Sequence, residues 1–368
     1  MAFDLGLNEE QQALKETLND FASSVLRAAA RDAEKAGRVP DQLAKQFHEI
    51  GVGAPVDEEY GGGGTFDAVT YCIAAEELGW GDAGIAHQLL GEGHAALVIA
   101  AAGTEGQKTD YLPRFAQAEP AKTFVALGEG IAAGDLLSLE TVVDGDKVTG
   151  KKYGVHSADE AAFGVVVGRN DSGLAASIVG SGEFEILHQE AKLGLEASRT
   201  FVVQFDGTGQ SLTQGPELER AVLLIKLATG ALALGSARAS FEYASKYATE
   251  REAFGKPIGA FQAIAFKIAD MAIEVDAARV ALWHAAWKLD QGEDAAADVA
   301  AAVGQALHTA ILCGDDGVQV LGGHGYVQDH PVEMWFRNAV TLSVFDAPEL
   351  LGDMTVARSL VPSAGGGQ

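Results

Sequence analysis

The sequence predicts an α+β fold: a helical region, then a small sheet, then a helical bundle. Three observations predict it. Apolar residues recur at helical spacing through roughly the first 120 residues; short β-branched runs bounded by turn residues replace them from about 121 to 215; and helical spacing returns after Pro216. The expected domains are 1–120, helical; 121–215, a middle β-domain; and 216–368, a C-terminal four-helix bundle. The sequence contains neither an internal repeat nor a low-complexity linker.

In chain order, Asn8 followed by Glu9 and Glu10 reads as a helix N-cap with first-turn acids. Leu14, Leu18, Phe21 and Leu26 then recur at roughly helical spacing. Further helices are predicted at about 42–50, 66–78, 83–102 and 105–115. Gly61 to Gly64 break the array, because four glycines do not sustain a helix. In the middle region, Thr141-Val142-Val143-Asp144-Gly145-Asp146-Lys147-Val148 places β-branched residues around Asp-Gly and predicts a hairpin. Strands are also predicted at 164–168, 176–179, 184–187 and 200–205. A long helix then covers about 217–249 and breaks near Phe254-Gly255-Lys256-Pro257. Helices at 261–291 and 294–313 follow, with a shorter one after Pro331 and a frayed tail at 363–368.

Charge narrows the function. Asp and Glu number 52 against 26 Lys and Arg, a net charge of −26. Nucleic acid and anionic membrane surfaces would be repelled, and any anionic ligand needs a local cationic site. Cys72 and Cys313 lie far apart in no metal or redox spacing, which points to a reducing compartment. Met1–Glu10 carries no basic patch and no apolar run, so no secretory signal is expected. The most apolar windows, 223–234 and 296–313, are interrupted by Lys226 and by Asp298 and His308, short of the roughly 20 residues a membrane span needs. A soluble cytoplasmic protein is expected. The histidines show no ligand spacing, so no metal site is expected.

Five motifs, in order along nearly the whole chain, carry a resemblance. They are Glu58-Glu59-Tyr60-Gly61-Gly62, Ala75-Glu76-Glu77-Leu78-Gly79, Lys192-Leu193-Gly194-Leu195-Glu196-Ala197-Ser198, the stretch Arg251 to Gln262, and Gln319-Val320-Leu321-Gly322-Gly323-His324-Gly325-Tyr326. Together they resemble the acyl-CoA dehydrogenase family, whose fold has the same three regions. The resemblance implies FAD as cofactor, an acyl-CoA substrate and an electron-transfer flavoprotein-like acceptor. It also implies that Arg251, Phe254 and Gln262, with Gln319, Val320, Leu321, Gly322 and Gly323, serve the FAD of a neighbouring subunit. The chemistry agrees: a guanidinium offers forked donors to a diphosphate, and adjacent glycines admit a ligand close to the backbone.

Other family features are altered. The loop of the Thr-Glu-Pro-x-Ala-Gly-Ser-Asp type that lines the isoalloxazine corresponds to Gly128-Glu129-Gly130-Ile131-Ala132-Ala133-Gly134-Asp135, without the hydroxyls and the proline. The Trp-x-Ile-Thr stretch at the flavin's reactive edge corresponds to Tyr153-Gly154-Val155-His156, where His156 replaces Thr. The family's catalytic glutamate, in a Tyr-Glu-Gly-Thr stretch, corresponds to Asp346 in Phe345-Asp346-Ala347-Pro348. Asp346 is one methylene shorter, and a misplacement of about 1 Å can cost on the order of 100-fold. Some relatives carry the base 26 residues before the motif arginine. Here that position is Ile225, and Glu219 is six residues out of register.

Contacts to the chain's own flavin are degraded while those offered to a neighbour persist. The reading that follows is an acyl-CoA dehydrogenase subunit that completes a shared FAD site with a paralogous subunit. It resembles the heterotetrameric enzymes of bacterial steroid side-chain degradation. Two alternatives stand beside it: a self-sufficient homotetramer with Asp346 as base, and a flavin-free structural or binding protein.

Overall fold

The computed structural model describes residues 5–130, 136–345 and 349–361. Helix α1 (Glu9–Phe21) starts at Asn8, whose Oδ1 accepts from Gln11 N at 2.8 Å while Gln11 Oε1 accepts from Asn8 N at 3.1 Å. This reciprocal capping box fixes the first turn. One π-turn, Ala22–Leu26, leads into α2 (Arg27–Ala36), which ends at Gly37 in the left-handed region. Helix α3 (Asp41–Ile50) follows Pro40, as the 42–50 pattern predicts. The two helices expected at 66–78 and 83–102 form one element, α4 (Ala68–Ala102), broken at Asp82 (φ −160°, ψ 118°). The Asp82 carboxylate caps the second half by accepting from Ile85 N at 2.8 Å. Helix α5 (Glu105–Tyr111) stops short of the expected 115.

The chain then builds an eight-stranded sheet of order β6-β7-β3-β2-β4-β5-β8, with β1 paired to β4. The strands are β1 (Thr123–Ala126), β2 (Val142–Asp144), β3 (Lys147–His156), β4 (Phe163–Asn170), β5 (Gly173–Gly180), β6 (Phe184–Gln189), β7 (Thr200–Thr208) and β8 (Gln210–Ser211). The predicted Asp-Gly hairpin joins β2 to β3, with Val143 opposite Val148. Strands β1 and β2 share one edge of β4, both parallel to it: β1 along Phe163–Val166 and β2 at Arg169. Strand β1 is absent from the sequence-based expectation. The β3–β7 register slips between Lys152 and Val155, where Gly154 has φ +68°, so a bulge falls in the Tyr153–His156 stretch.

After the sheet come α6 (Pro216–Glu250), a short hairpin of β9 (Glu252–Ala253) and β10 (Lys256–Pro257), α7 (Gln262–Asp290), α8 (Ala296–Leu321), α9 (Val332–Val344) and α10 (Glu349–Leu360). Helix α8 runs eight residues beyond the expected 313, so Gln319 to Leu321 are helical and the turn begins at Gly322. Helix α6 packs against α4, α7, α8 and α9. By length and composition alone Pro216–Glu250 and Ala296–Tyr326 are long and apolar enough to cross a bilayer, as buried core helices also are; 89% of the apolar window in the first and 44% of that in the second is buried inside the protein.

Alternation along the strands explains the layers. Val125, Val165, Val167 and Ile178 face Ala95, Ile99, Val222 and Ile225 of α4 and α6. On the other face, Phe124, Val148, Val166 and Phe205 form a separate core. The third and largest core joins α1–α4 to α6–α9.

Candidate functional site

Two places concentrate the predicted residues. The first is an edge of the C-terminal helices. Arg251 is the C-cap of α6, its N–H donating to Tyr247 O at 2.9 Å and its carbonyl accepting from Ile258 N at 2.8 Å; its side chain is exposed. Phe254 is 96% exposed with φ +54°, which excludes a core-packing role, and its ring meets Phe261 edge-on at 6.2 Å. Gln262 opens α7 and is exposed. Gln319 is exposed on the last turn of α8, whereas the side chains of Val320 and Leu321 belong to the core and leave only main-chain groups for this edge. Gly322 ends α8 with φ +58° and ψ −130°, a backbone state open essentially to glycine, and a Cβ on Gly323 would meet nothing within 4 Å.

Side-chain contacts tie these helix ends together. Tyr247 OH lies 2.6 Å from His324 Nδ1, joining the last turn of α6 to the turn after α8. Lys267 of α7 pairs with Asp316 of α8. Arg251, Gln262, Gln319 and the glycine turn therefore border one exposed edge, with Arg251 and Lys256 supplying local positive charge in an acidic protein.

The second place is a buried cluster where α4, the end of β3 and the end of α9 meet. His87 of α4 places Nδ1 2.9 Å from Ser198 Oγ and 3.1 Å from His156 Nε2. Nδ1 carries one lone pair or one N–H, so it serves these two partners one at a time: it accepts from His156 Nε2–H or it bonds Ser198 Oγ. The His156 ring, 4% exposed, lies on Gly91; a Cβ there would sit 2.6 Å from the imidazole, so only glycine permits this approach. Phe345 closes the group, 6.3 Å edge-on from His87 and 5.8 Å from Lys192 Nζ. Lys192 in turn donates to Ser198 O at 2.6 Å and Thr200 Oγ1 at 3.0 Å. Burial first, then His87, His94 and Lys192, hold His156 well below the ordinary imidazole range. Burial also lowers Lys192.

Asp346, Pro348 and 131–135 lie outside the described residues. The rest of the altered loop keeps an anchor. Glu129 takes 2.6 Å from Lys152 Nζ, 2.5 Å from Glu140 N and 3.0 Å from Thr141 N, and Gly128 O accepts from Tyr153 N at 2.9 Å. Burial pulls the Lys152 ammonium down to about 8, opposed by Glu129. Tyr153 is half-buried with Lys151 Nζ 5.3 Å from its ring. Ile225 is core and Glu219 is exposed in the first turn of α6. Among the described residues no group of three or more His, Cys, Asp and Glu could hold a metal ion. Sequence reasoning found Lys192 and Ser198 only as motif letters and missed His87, one of two histidines on the apolar helix α4.

Residues 221–360 match the sequence profile of the acyl-CoA dehydrogenase C-terminal domain, and residues 8–119 that of the N-terminal domain. The chain is 31% identical to a probable acyl-CoA dehydrogenase of Bacillus subtilis, covering 96% of this chain and 99% of that one. It is 32% identical to the mitochondrial short-chain specific acyl-CoA dehydrogenase of Bos taurus, over 97% and 91% of the two chains. Among solved structures, butyryl-CoA dehydrogenase from Megasphaera elsdenii superposes with a TM-score of 0.86 at 26% identity, over 97% and 100%. A chain from the structure of an electron-transferring flavoprotein of Acidaminococcus fermentans reaches 0.87 at 30% identity, over 98% and 100%.

Proposed function

The chain belongs to the acyl-CoA dehydrogenase family, and we propose that it is the partner subunit that completes a FAD site shared with a paralogous, active chain. One observation carries the reading. His156 stands where the family pattern places a flavin-touching threonine, yet its ring is buried against His87 and Gly91. A buried imidazole at this position offers no hydroxyl to a flavin's reactive edge, so these residues do not fit the chain's own flavin ring.

The exposed edge does fit the other end of the cofactor. Arg251 would hold the pyrophosphate of the neighbour's FAD through charge-assisted hydrogen bonds. Gln262 and Gln319 would donate from their amides, and Gly322 and Gly323 would let the ligand reach the backbone. When bound in the active chain, FAD supplies the hydride acceptor for α,β-dehydrogenation of an acyl-CoA thioester. We assign the reduced flavin an electron-transfer flavoprotein-like acceptor. The sorting of losses from retained contacts supports the steroid side-chain type, and the two buried free thiols, Cys72 and Cys313, suit a reducing cytoplasm.

Arg251→Ala should weaken FAD binding to the assembled complex by roughly 10- to 150-fold, the loss of a charged hydrogen bond. Arg251→Lys should recover only part of it, since lysine lacks the fork. Titration of FAD into apo-complexes checks this; equal affinity in all three would remove the shared-site reading. The full-length match to named dehydrogenases favours a second reading, a self-sufficient homotetramer with Asp346 as base, which would hold one flavin per chain.

A further inference from the structure

On the face of α4 away from His87, a cavity of about 460 Å³ opens between α3, α4 and the start of the sheet. Val39, Ala44, Phe47, Leu89 and Phe115 give it apolar walls. Its floor is a closed polar unit. Gln88 Nε2 donates to Glu92 Oε1 at 2.6 Å and to Ser157 Oγ at 2.5 Å, and Ser157 Oγ donates to Glu92 Oε1 at 2.6 Å. Gln88 Oε1 accepts from Arg199 N at 2.6 Å. Gln88 and Ser157 are 4% and 2% exposed. Ser157 is held at φ +46°, an unfavourable backbone state for a residue with a side chain, and such strain gathers at functional sites.

Hydrogen-bond accounting decides what this floor can take. Both amide hydrogens of Gln88 and the hydroxyl hydrogen of Ser157 are engaged within the unit, so it has no donor left to offer. What remains is acceptor capacity: among the described residues no hydrogen bond falls on Glu92 Oε2, and no ion pair reaches Glu92. The cations at the rim are engaged elsewhere: Lys122 with Glu160, Arg199 with Asp159 and Glu160, Arg38 with Asp41, and Lys45 with Glu119. A half-buried carboxylate without a cation, beneath apolar walls, selects a ligand that brings its own positive donor.

We propose that this cavity is a second ligand site, independent of the flavin-site reading, that binds a compact apolar amine with its ammonium on Glu92. Its size lies within the range of small-molecule pockets. The chain's negative field favours such a cation over an anion of the same shape.

A matched set of probes with one apolar body tests it: 1-adamantylamine, 1-adamantanol and adamantane-1-carboxylate, titrated by calorimetry into the full chain. The amine should bind, the alcohol more weakly, and the carboxylate at least about tenfold more weakly than the amine. Glu92→Gln should remove the preference for the amine. Because that change touches the buried floor, Ala44→Trp provides a second test from the α3 wall, and it should abolish binding of all three. No binding of the amine at millimolar concentration would overturn the proposal. So would an equal affinity for the carboxylate, or amine binding unaffected by Ala44→Trp.

Discussion

Held neutral by its surroundings, His156 makes the protein sensitive to mild acid. The unfolded chain takes up that proton near pH 6.5 and the folded chain does not, so stability falls as pH drops below about 6.5, by up to roughly 1.4 kcal/mol per pH unit for this group. His156→Gln removes the effect, and denaturation at pH 7.5 and 5.5 should show a smaller acid loss in the variant. An equal loss would place the titration elsewhere. At Asp346 the shared-site account expects Asp346→Asn to leave turnover of the assembled complex nearly unchanged. A catalytic base lost there would lower kcat by roughly 10²- to 10⁴-fold with flavin content intact. Lys152 and Glu129 are a buried pair, 0% and 6% exposed at the side chain. Removing one partner strands the other's charge, so Lys152→Met should cost about 3–5 kcal/mol, and Lys152→Met with Glu129→Leu less. Chemical denaturation of both variants measures the difference.

Among the elements, the break in α4 rests on one side chain. Asp82 caps the second half of the helix while burial pushes its carboxyl up to about 6. Asp82→Asn keeps an acceptor and removes a buried charge, so stability at pH 7.5 should hold or rise, whereas Asp82→Ala should lose about 1 kcal/mol of capping. Thermal melts of the pair decide it; a stable Ala variant would mean that packing alone sets the break. This break was legible as two separate apolar patterns, and the β2–β3 hairpin was legible because Asp144-Gly145 demands a turn. Strand β1 was not, since four residues, Thr123–Ala126, acquire their partner only forty residues later in β4. Nor was α10, or the extension of α8 through the glycine motif, where motif letters masked the helical period. The exposed Arg251–Gln262 edge was readable from motif order. The closure of His156 on His87 was not, because it depends on a glycine at 91 letting two distant segments touch.

For the whole molecule, the question is what covers its apolar surface. Phe266, Ile273 and Val280 on α7 are 62%, 64% and 41% exposed, and seven-residue spacing aligns them on one face. That stripe continues from Gln262, at the proposed cofactor edge, along the bundle. Phe266→Glu with Ile273→Glu should shift the assembled complex to smaller species in sedimentation velocity, with circular dichroism unchanged; an unshifted complex would put the interface on another surface. The central claim, that this chain completes a flavin site without holding a flavin ring of its own, is tested most directly by the ratio of FAD to protein. The chain purified alone should carry little or no FAD, and its complex with a paralogous subunit fewer flavins than chains. A yellow homotetramer with one FAD per chain would contradict it.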